Sequence, residues 1–378
     1  MQHRRFGKTE MNLSVLTLGL MRYMSKDLDQ SARVVRRAVE LGINHLETAR
    51  GYDDSEELLG HALKSIDRGK VHITTKVGPC KTYDEFMNKF ETSMSKMGID
   101  VLDNLDVHGI NNEDKFRMAM DENGTLKACR KLLDSGAVRH IGFSTHGKTE
   151  LVLKTINTGF FESINLHYYW FYQAHAPVIA RAAELDMGVL IISPNEKGGM
   201  LFKPPEVLTR ISAPLHPMNL NQRWLLSDPR IHTLSLGPAV AEELDAHMAV
   251  ADDVGPLTEQ EKAALARWDR TIREKLRGDF CTQCGRCLPC PEFIDIPEIL
   301  RLRNLAVGLE MNAYGSFRYN LLDGSNDWFH GWPGSRCTKC GQCLPRCPEK
   351  LDIPRLLFDA HKRLKTGIGR RLWQRLVR

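Results

Sequence analysis

The sequence predicts an α/β chain in two parts, a closed (β/α)8, or TIM, barrel followed by a small, mainly helical domain. Three observations carry this. Eight short β-rich runs alternate with helical patterns from the N-terminus to about residue 250, as parallel strands joined by crossover helices do. A Pro/Gly break near residue 255 then opens a helical stretch. Beyond it a cysteine motif occurs twice, as CTQCGRCLPCPEFIDIP (281–297) and CTKCGQCLPRCPEKLDIP (337–354). The expected boundaries are 1–255 for the barrel, 256–280 for a connecting helix lying against it, 281–360 for the second domain and 361–378 for a basic tail.

RRFGKTEMNLSV at the N-terminus reads as a hairpin. The eight strand runs are VLTLGL (15–20), INHLET (43–48), VHITTK (71–76), LDNLDVH (102–108), VRHIGFS (138–144), ESINLH (162–167), GVLIIS (188–193) and HTLSLG (232–237). Between them, Asp29 to Leu41 reads as a helix stopped by Gly42. Ser55 is placed to cap the run of Leu58, Leu59, Ala62 and Leu63. Thr82 and Glu85 have capping-box spacing ahead of Phe86, Phe90, Met94 and Met97, with Gly98 as the stop. Eight strand–helix units in this length favour a closed barrel over an open doubly wound sheet, and no GxGxxG follows the first strand. Cys129 reads as a packed small apolar residue and Cys80 as a free thiol without a catalytic role.

In such a barrel the chemistry sits at the C-terminal ends of the strands. Those ends carry Met21 and Arg22, Glu47 and Tyr52, Lys76, His108, Ser144 and Thr145, Asn165 and Gly237. A lysine ammonium beside a phenol would lower the phenol's pKa and make it a usable proton donor, and an imidazole can orient a carbonyl oxygen.

The cysteine motifs begin 56 residues apart and hold eight of the ten cysteines. The second reads Cys-x2-Cys-x2-Cys-x3-Cys-Pro, the spacing of a [4Fe–4S] cluster site; the first is one residue shorter before its last cysteine. Zinc sites use pairs rather than such triplets, and disulfides suit small secreted domains. The pair of motifs resembles a two-cluster bacterial-type ferredoxin module, and the helical pattern of IPEILRLRNLAVGLEM between them suggests its helical variety. The resemblance implies a crossed ligand set: Cys281, Cys284, Cys287 and Cys347 for one cluster, and Cys337, Cys340, Cys343 and Cys290 for the other.

Composition bounds the rest. Hydrophobic content of 42% and charge of 26% are those of a soluble globular chain. A net charge of +5 does not argue for nucleic acid, and there is no membrane-length apolar run or signal-peptide core. A cytoplasmic location is therefore expected. The tail HKRLKTGIGRRLWQRLVR holds seven Lys or Arg and no acid, with Leu372, Trp373, Leu376 and Val377 at amphipathic spacing. It could touch an anionic membrane or an acidic redox partner, but a solvated, frayed end is the favoured reading.

Across residues 1–250, the segments GINHLETARGYDDSEELLGHAL, VHITTKVG, LDNLDVHG and GAVRHIGFSTH, with the opening RRFGKTEMNLSVLTLGL, resemble the aldo-keto reductase family in order and spacing. That resemblance implies Tyr52 as general acid, Lys76 as its partner and His108 as carbonyl orienter. Glu47 stands where the family has Asp. Ser144 falls at the nicotinamide contact, Thr145 where many members have Asn, and Asn165 where many have Gln. After the eighth strand the family's phosphate-clamping Lys and Arg are replaced by Glu242 and Glu243, which does not support NADPH preference. Gly237 and the helix start after it could still hold a pyrophosphate.

The expected protein is an oxidoreductase acting on a small carbonyl or alcohol, with two [4Fe–4S] clusters as electron relay or partner-docking module and NAD(P)(H) entering through the resemblance. Nicotinamide passes two electrons as hydride while each cluster takes one, and no flavin motif bridges them. The alternative is an electron-transfer or scaffold subunit of a redox complex, with a ferredoxin-like or other redox protein as partner.

Overall fold

The hairpin is formed by β1 (His3–Arg5) and β2 (Asn12–Ser14), paired antiparallel. In the computed structural model, residues 1–22, 27–197, 199–322, 324 and 327–366 are described. The amphipathic residues of the tail, Leu372 to Val377, lie outside them. Eight further strands follow: β3 (Leu16–Gly19), β4 (His45–Glu47), β5 (His72–Val77), β6 (Leu102–Val107), β7 (Val138–Ser144), β8 (Ser163–Leu166), β9 (Gly188–Ile192) and β10 (Thr233–Leu236). They pair in parallel in chain order, and β10 closes on β3, so the sheet is a closed eight-stranded barrel.

The hairpin plugs the N-terminal end of that barrel. Phe6 lies edge-on to His232 at 5.7 Å and near His45, and a methyl on Gly188, the first residue of β9, would sit 2.7 Å from the Phe6 ring. Phe6, Met11, Leu13 and Leu190 form their own buried cluster there. Above it the inward positions are polar. His45 bonds Thr17 and Thr74 at 2.8 Å, Thr17 bonds Thr233 at 2.7 Å, and Asn104 is shared between Thr74, Asp106 and Ser163. The hairpin packing at one end leaves the C-terminal ends of the strands as the place for ligand chemistry.

Local sequence explains most helix ends. Thr82 accepts from Glu85 N at 3.2 Å and Gly98 closes that helix in the left-handed region, while the Glu85 carboxylate pairs with Lys89 instead of completing the box. Ser55 does not cap. It begins the helix Ser55–Leu63, and its hydroxyl donates to Leu20 O at 3.1 Å and bonds the Thr48 hydroxyl at 2.6 Å.

Two compact units divide the described residues: 1–194 with 222–256, and 195–221 with 257–366. In the second, Trp268 is fully buried on the helix Glu259–Leu276 and donates Nε1 to Ser212 Oγ at 2.7 Å. Arg267 Nε reaches Ile211 O at 2.7 Å, and the Tyr314 hydroxyl donates to Lys197 O. Helix Ile296–Gly308 packs so tightly that a methyl on Gly308 would lie 3.0 Å from Ile272 Cα. The two motifs end alike: Asp295 and Asp352 cap the helices Ile296–Gly308 and Ile353–Leu364, with Pro297 and Pro354 in the first turn. Among the described residues no helix is long and apolar enough to cross a membrane.

Candidate active site and cluster site

The barrel ladder runs on past the strands and fixes the candidate side chains. Arg50 N donates to Lys76 O at 2.9 Å, His108 N to Val77 O at 2.8 Å, Gly109 N to Ser144 O at 3.0 Å and Thr145 N to Asn165 O at 3.0 Å. Tyr52 N bonds Ala49 O at 3.0 Å, which turns the chain so that the ring returns over β5.

Glu47, Tyr52, Lys76 and His108 converge. The Lys76 ammonium is in ion-pair contact with Glu47 Oε1, donates to Thr48 O at 2.9 Å and reaches the Tyr52 hydroxyl at 3.4 Å. Glu47 Oε2 accepts from Ser235 Oγ at 2.9 Å, so both carboxylate oxygens are engaged. The Tyr52 and His108 rings meet edge to face at 5.6 Å.

Burial governs the electrostatics. It pushes the Tyr52 phenol above its ordinary value, with Asp106 adding to the rise, which corrects the expectation that Lys76 lowers it. A raised phenol stays protonated and can donate. His108 is pushed down to about 3 by burial, with Lys76 and Lys115 contributing, so its imidazole is neutral. Burial also lowers the Lys76 amine and Asp106 opposes it, while the direct Glu47 contact favours the ammonium.

Asp106 is the site residue that motif reading missed. It lies two residues before His108, pairs in register with Lys76 and is buried on the inward face, where Asn104 Nδ2 donates to its Oδ1 at 2.8 Å. Burial raises its carboxyl, with Lys76, Asn104 and Asn165 opposing. One lysine thus serves two buried carboxyl groups.

The candidate cofactor contacts fare unequally. Ser144 and Asn165 are register partners on β7 and β8. Ser144 Oγ accepts from Gly109 N at 3.1 Å. Asn165 is buried beside the Asp106 carboxyl, and among the described residues neither its Nδ2 nor its Oδ1 has a hydrogen-bond partner of normal geometry. A buried amide left unpaired is costly, so this pair of atoms fits a carboxamide-bearing ring such as nicotinamide. Thr145 is already used: its hydroxyl donates to Ile110 O at 2.7 Å and accepts from Gly147 N at 2.8 Å. Met21 and Arg22 occupy the turn after β3, where Arg22 donates to Gly237 O at 2.9 Å and approaches Glu243 at 3.3 Å. Beyond β10 the chain forms a short 3-10 helix, Ala241–Leu244, and Glu243 in it takes Ala239 N at 2.7 Å. The expected phosphate cradle at that helix start is therefore occupied by the chain's own carboxylate.

The eight motif cysteines line two cavities of the second unit. One is bordered by Cys281, Cys284, Cys287 and Cys347, the other by Cys290, Cys337, Cys340 and Cys343, with Cys287 at the wall of both. Asn304 holds the entry, donating Nδ2 to Cys281 O at 2.8 Å, and Gln283 N donates to Cys281 Sγ at 3.4 Å. Burial pushes Cys281 up to about 11 and Cys287 up to about 12, so these sulfurs ionise only with a metal's charge beside them. Two rings of four cysteines fit two cubic clusters.

The aldo/keto reductase family model matches residues 15–204, just over half of the chain. The chain belongs to the aldo/keto reductase family. A 4Fe-4S dicluster domain model matches residues 280–351, so this aldo/keto reductase is an oxidoreductase carrying a ferredoxin-like domain. It is 23% identical over 304 residues to the uncharacterized oxidoreductase YqkF of Bacillus subtilis, covering 70% of this chain and 95% of that one. It is 33% identical over 140 residues to the 9,11-endoperoxide prostaglandin H2 reductase of Trypanosoma cruzi, covering 35% of this chain and 47% of that one. Among solved structures it resembles the holo form of the aldo-keto reductase AKR11C1 from Bacillus halodurans (TM-score 0.62, 21% identity, 71% of this chain and 96% of that). It also resembles the Klebsiella pneumoniae aldo-keto reductase in complex with NADPH (TM-score 0.58, 21% identity, 70% of this chain and 94% of that). At those identities the structures speak for the fold.

Proposed function

We propose that the barrel interconverts a small carbonyl compound and its alcohol by hydride transfer with a nicotinamide dinucleotide. The observation that carries this is the Lys76 ammonium held between Glu47 and the Tyr52 hydroxyl, 3.4 Å from the latter. Bound, the nicotinamide supplies or takes the hydride. Ser144 and the buried carboxamide of Asn165 would hold its amide. The protonated Tyr52 gives its proton to the carbonyl oxygen as the hydride arrives at carbon, yielding an alcohol. Neutral His108 orients that oxygen, and Lys76 stabilises the phenolate left on Tyr52. The NADPH complex of the Klebsiella relative supports choosing this nucleotide first.

Reduction of a simple aldehyde, followed by loss of nucleotide absorbance, tests the reading. Tyr52→Phe is expected to lower turnover by about 10²–10⁴-fold while nucleotide affinity is kept. Equal turnover in the variant would remove Tyr52 from the chemistry.

For the second unit we propose a role in exchanging single electrons with a partner protein in a reducing cytoplasm. A second reading, in which the barrel serves a redox complex without nicotinamide, is favoured by one observation: Glu243 offsets Arg22 and occupies Ala239 N where a phosphate would lie. Anaerobic titration with NADH and NADPH separates the two. Bleaching of cluster absorbance by nucleotide supports redox coupling. Bleaching by dithionite alone, without nucleotide binding, favours the second reading.

A further inference from the structure

We propose that the two cysteine loops, residues 284–293 and 336–350, form a docking face for an acidic electron-carrier protein. This builds on the electron-exchange role of the second unit and does not depend on the barrel chemistry. Cys284 and Cys340, one from each cysteine ring, are exposed, so each ring reaches solvent. Arg286, Arg336, Lys339, Arg346 and Lys350 are exposed around them, against a single exposed carboxylate, Glu349, within the loops. Asp352, just beyond, is engaged as a helix cap. Arg346 Nη1 donates to Pro289 O at 3.2 Å and ties one loop to the other.

Several other cations of the same unit are paired: Arg303 with Asp359 at 2.7 Å, Arg363 with the same carboxylate at 2.8 Å, and Lys275 with Glu310 at 3.0 Å. Among the described residues none of Arg286, Lys339, Arg346 and Lys350 enters an ion pair. Clusters with their thiolates bring negative charge of their own, which these five cations offset at the surface where Cys284 and Cys340 are exposed. The apolar centre that interfaces need is also present. Phe293 is 71% exposed and Leu344 41% exposed; they flank Cys290 and Cys343, which line the same cavity, and Phe293 N bonds Cys290 O at 3.0 Å. A cationic rim around two exposed apolar side chains, over a redox centre, fits a protein of opposite charge that carries single electrons.

The test is calorimetric titration of the iron-loaded full chain with a strongly acidic flavodoxin at low salt. Saturable binding is expected, weakened about ten-fold or more by Lys339→Glu with Arg346→Glu and by raising the salt. Both side chains are exposed, so iron content should hold. If it falls, Lys339→Gln with Arg346→Gln replaces the pair and should give a smaller loss in the same direction. Affinity indifferent to these changes or to salt would overturn the proposal. So would equal binding of a basic cytochrome c, or loss of binding only to phosphatidylglycerol vesicles, which would make the face a membrane contact. NADPH-linked aldehyde reduction by the unaltered chain is the separate control: its failure bears on the barrel alone, because docking is read from the heat of binding.

Discussion

Asp106 and Gly142 face each other across β6 and β7 so closely that a methyl group on Gly142 would overlap the Asp106 carboxylate. The glycine is what makes room for a second acid beside Lys76. Gly142→Ala should therefore destabilise the chain by about 1–3 kcal/mol, seen as a lowered unfolding midpoint, since Ser163 presses on the same space. An unchanged midpoint would mean that Asp106 does not occupy this position in solution.

Asn165 should trade stability against binding. Among the described residues its buried carboxamide makes no hydrogen bond of normal geometry, so Asn165→Leu is expected to raise unfolding stability by about 1 kcal/mol. The same change should weaken nucleotide binding about ten-fold, because a ring amide would lose its partner. Fluorescence titration and denaturant unfolding of one sample read both effects.

Glu47→Gln leaves the buried Lys76 without its ion-pair partner. A loss of about 3 kcal/mol is expected in denaturant unfolding. Turnover should fall as well, since Lys76 then ionises less readily beside Tyr52.

Acid should unfold the barrel through its neutral histidines. His45 is buried between Thr17 and Thr74 with its pKa pushed down to about 3 by burial, against about 6.5 in the unfolded chain. The unfolded chain therefore binds more protons below pH ~6.5, so the stability held above that value drains away as pH falls towards 3. By pH 5 the cost is about 2 kcal/mol for this residue, and His45→Gln should flatten the slope by that amount. A slope unaltered by the substitution would show His45 to be solvated.

Crossed ligation predicts which cluster a single substitution removes. Cys347→Ala should reduce iron by roughly half and leave the Cys337, Cys340 and Cys343 ring loaded, although Cys347 sits in the same motif. Iron analysis with the spectrum of the reduced protein reads the outcome.

The eight strands, the hairpin and the paired cysteine motifs were legible because each has a local signal: alternation, turn residues, ligand spacing. The convergence of Tyr52, Lys76 and His108 was legible from their positions after successive strands. Asp106 was not, although the inward alternation of Asn104, Asp106 and His108 along β6 could have marked it. The raised phenol of Tyr52 depends on burial, which spacing does not report. Residues 195–221 continue from β9 without a break in the sequence, yet Ser212 and Ile211 bond Trp268 and Arg267, so only tertiary packing assigns them to the second unit. The occupied amide of Ala239 likewise depends on the Glu243 rotamer rather than on any motif.

The crossing of Cys347 and Cys290 between the two rings also sets an order of biosynthesis. Cys281, Cys284 and Cys287 leave the ribosome 60 residues or more before Cys347. Until that residue emerges, the first ring presents three thiols and an open side, and the helix Ile296–Gly308 has no Ile353–Leu364 to pack upon. If clusters are held by the cysteines that line each cavity, loading waits for Cys343 and Cys347, and a nascent protein cut short in the insert would carry an unfinished site.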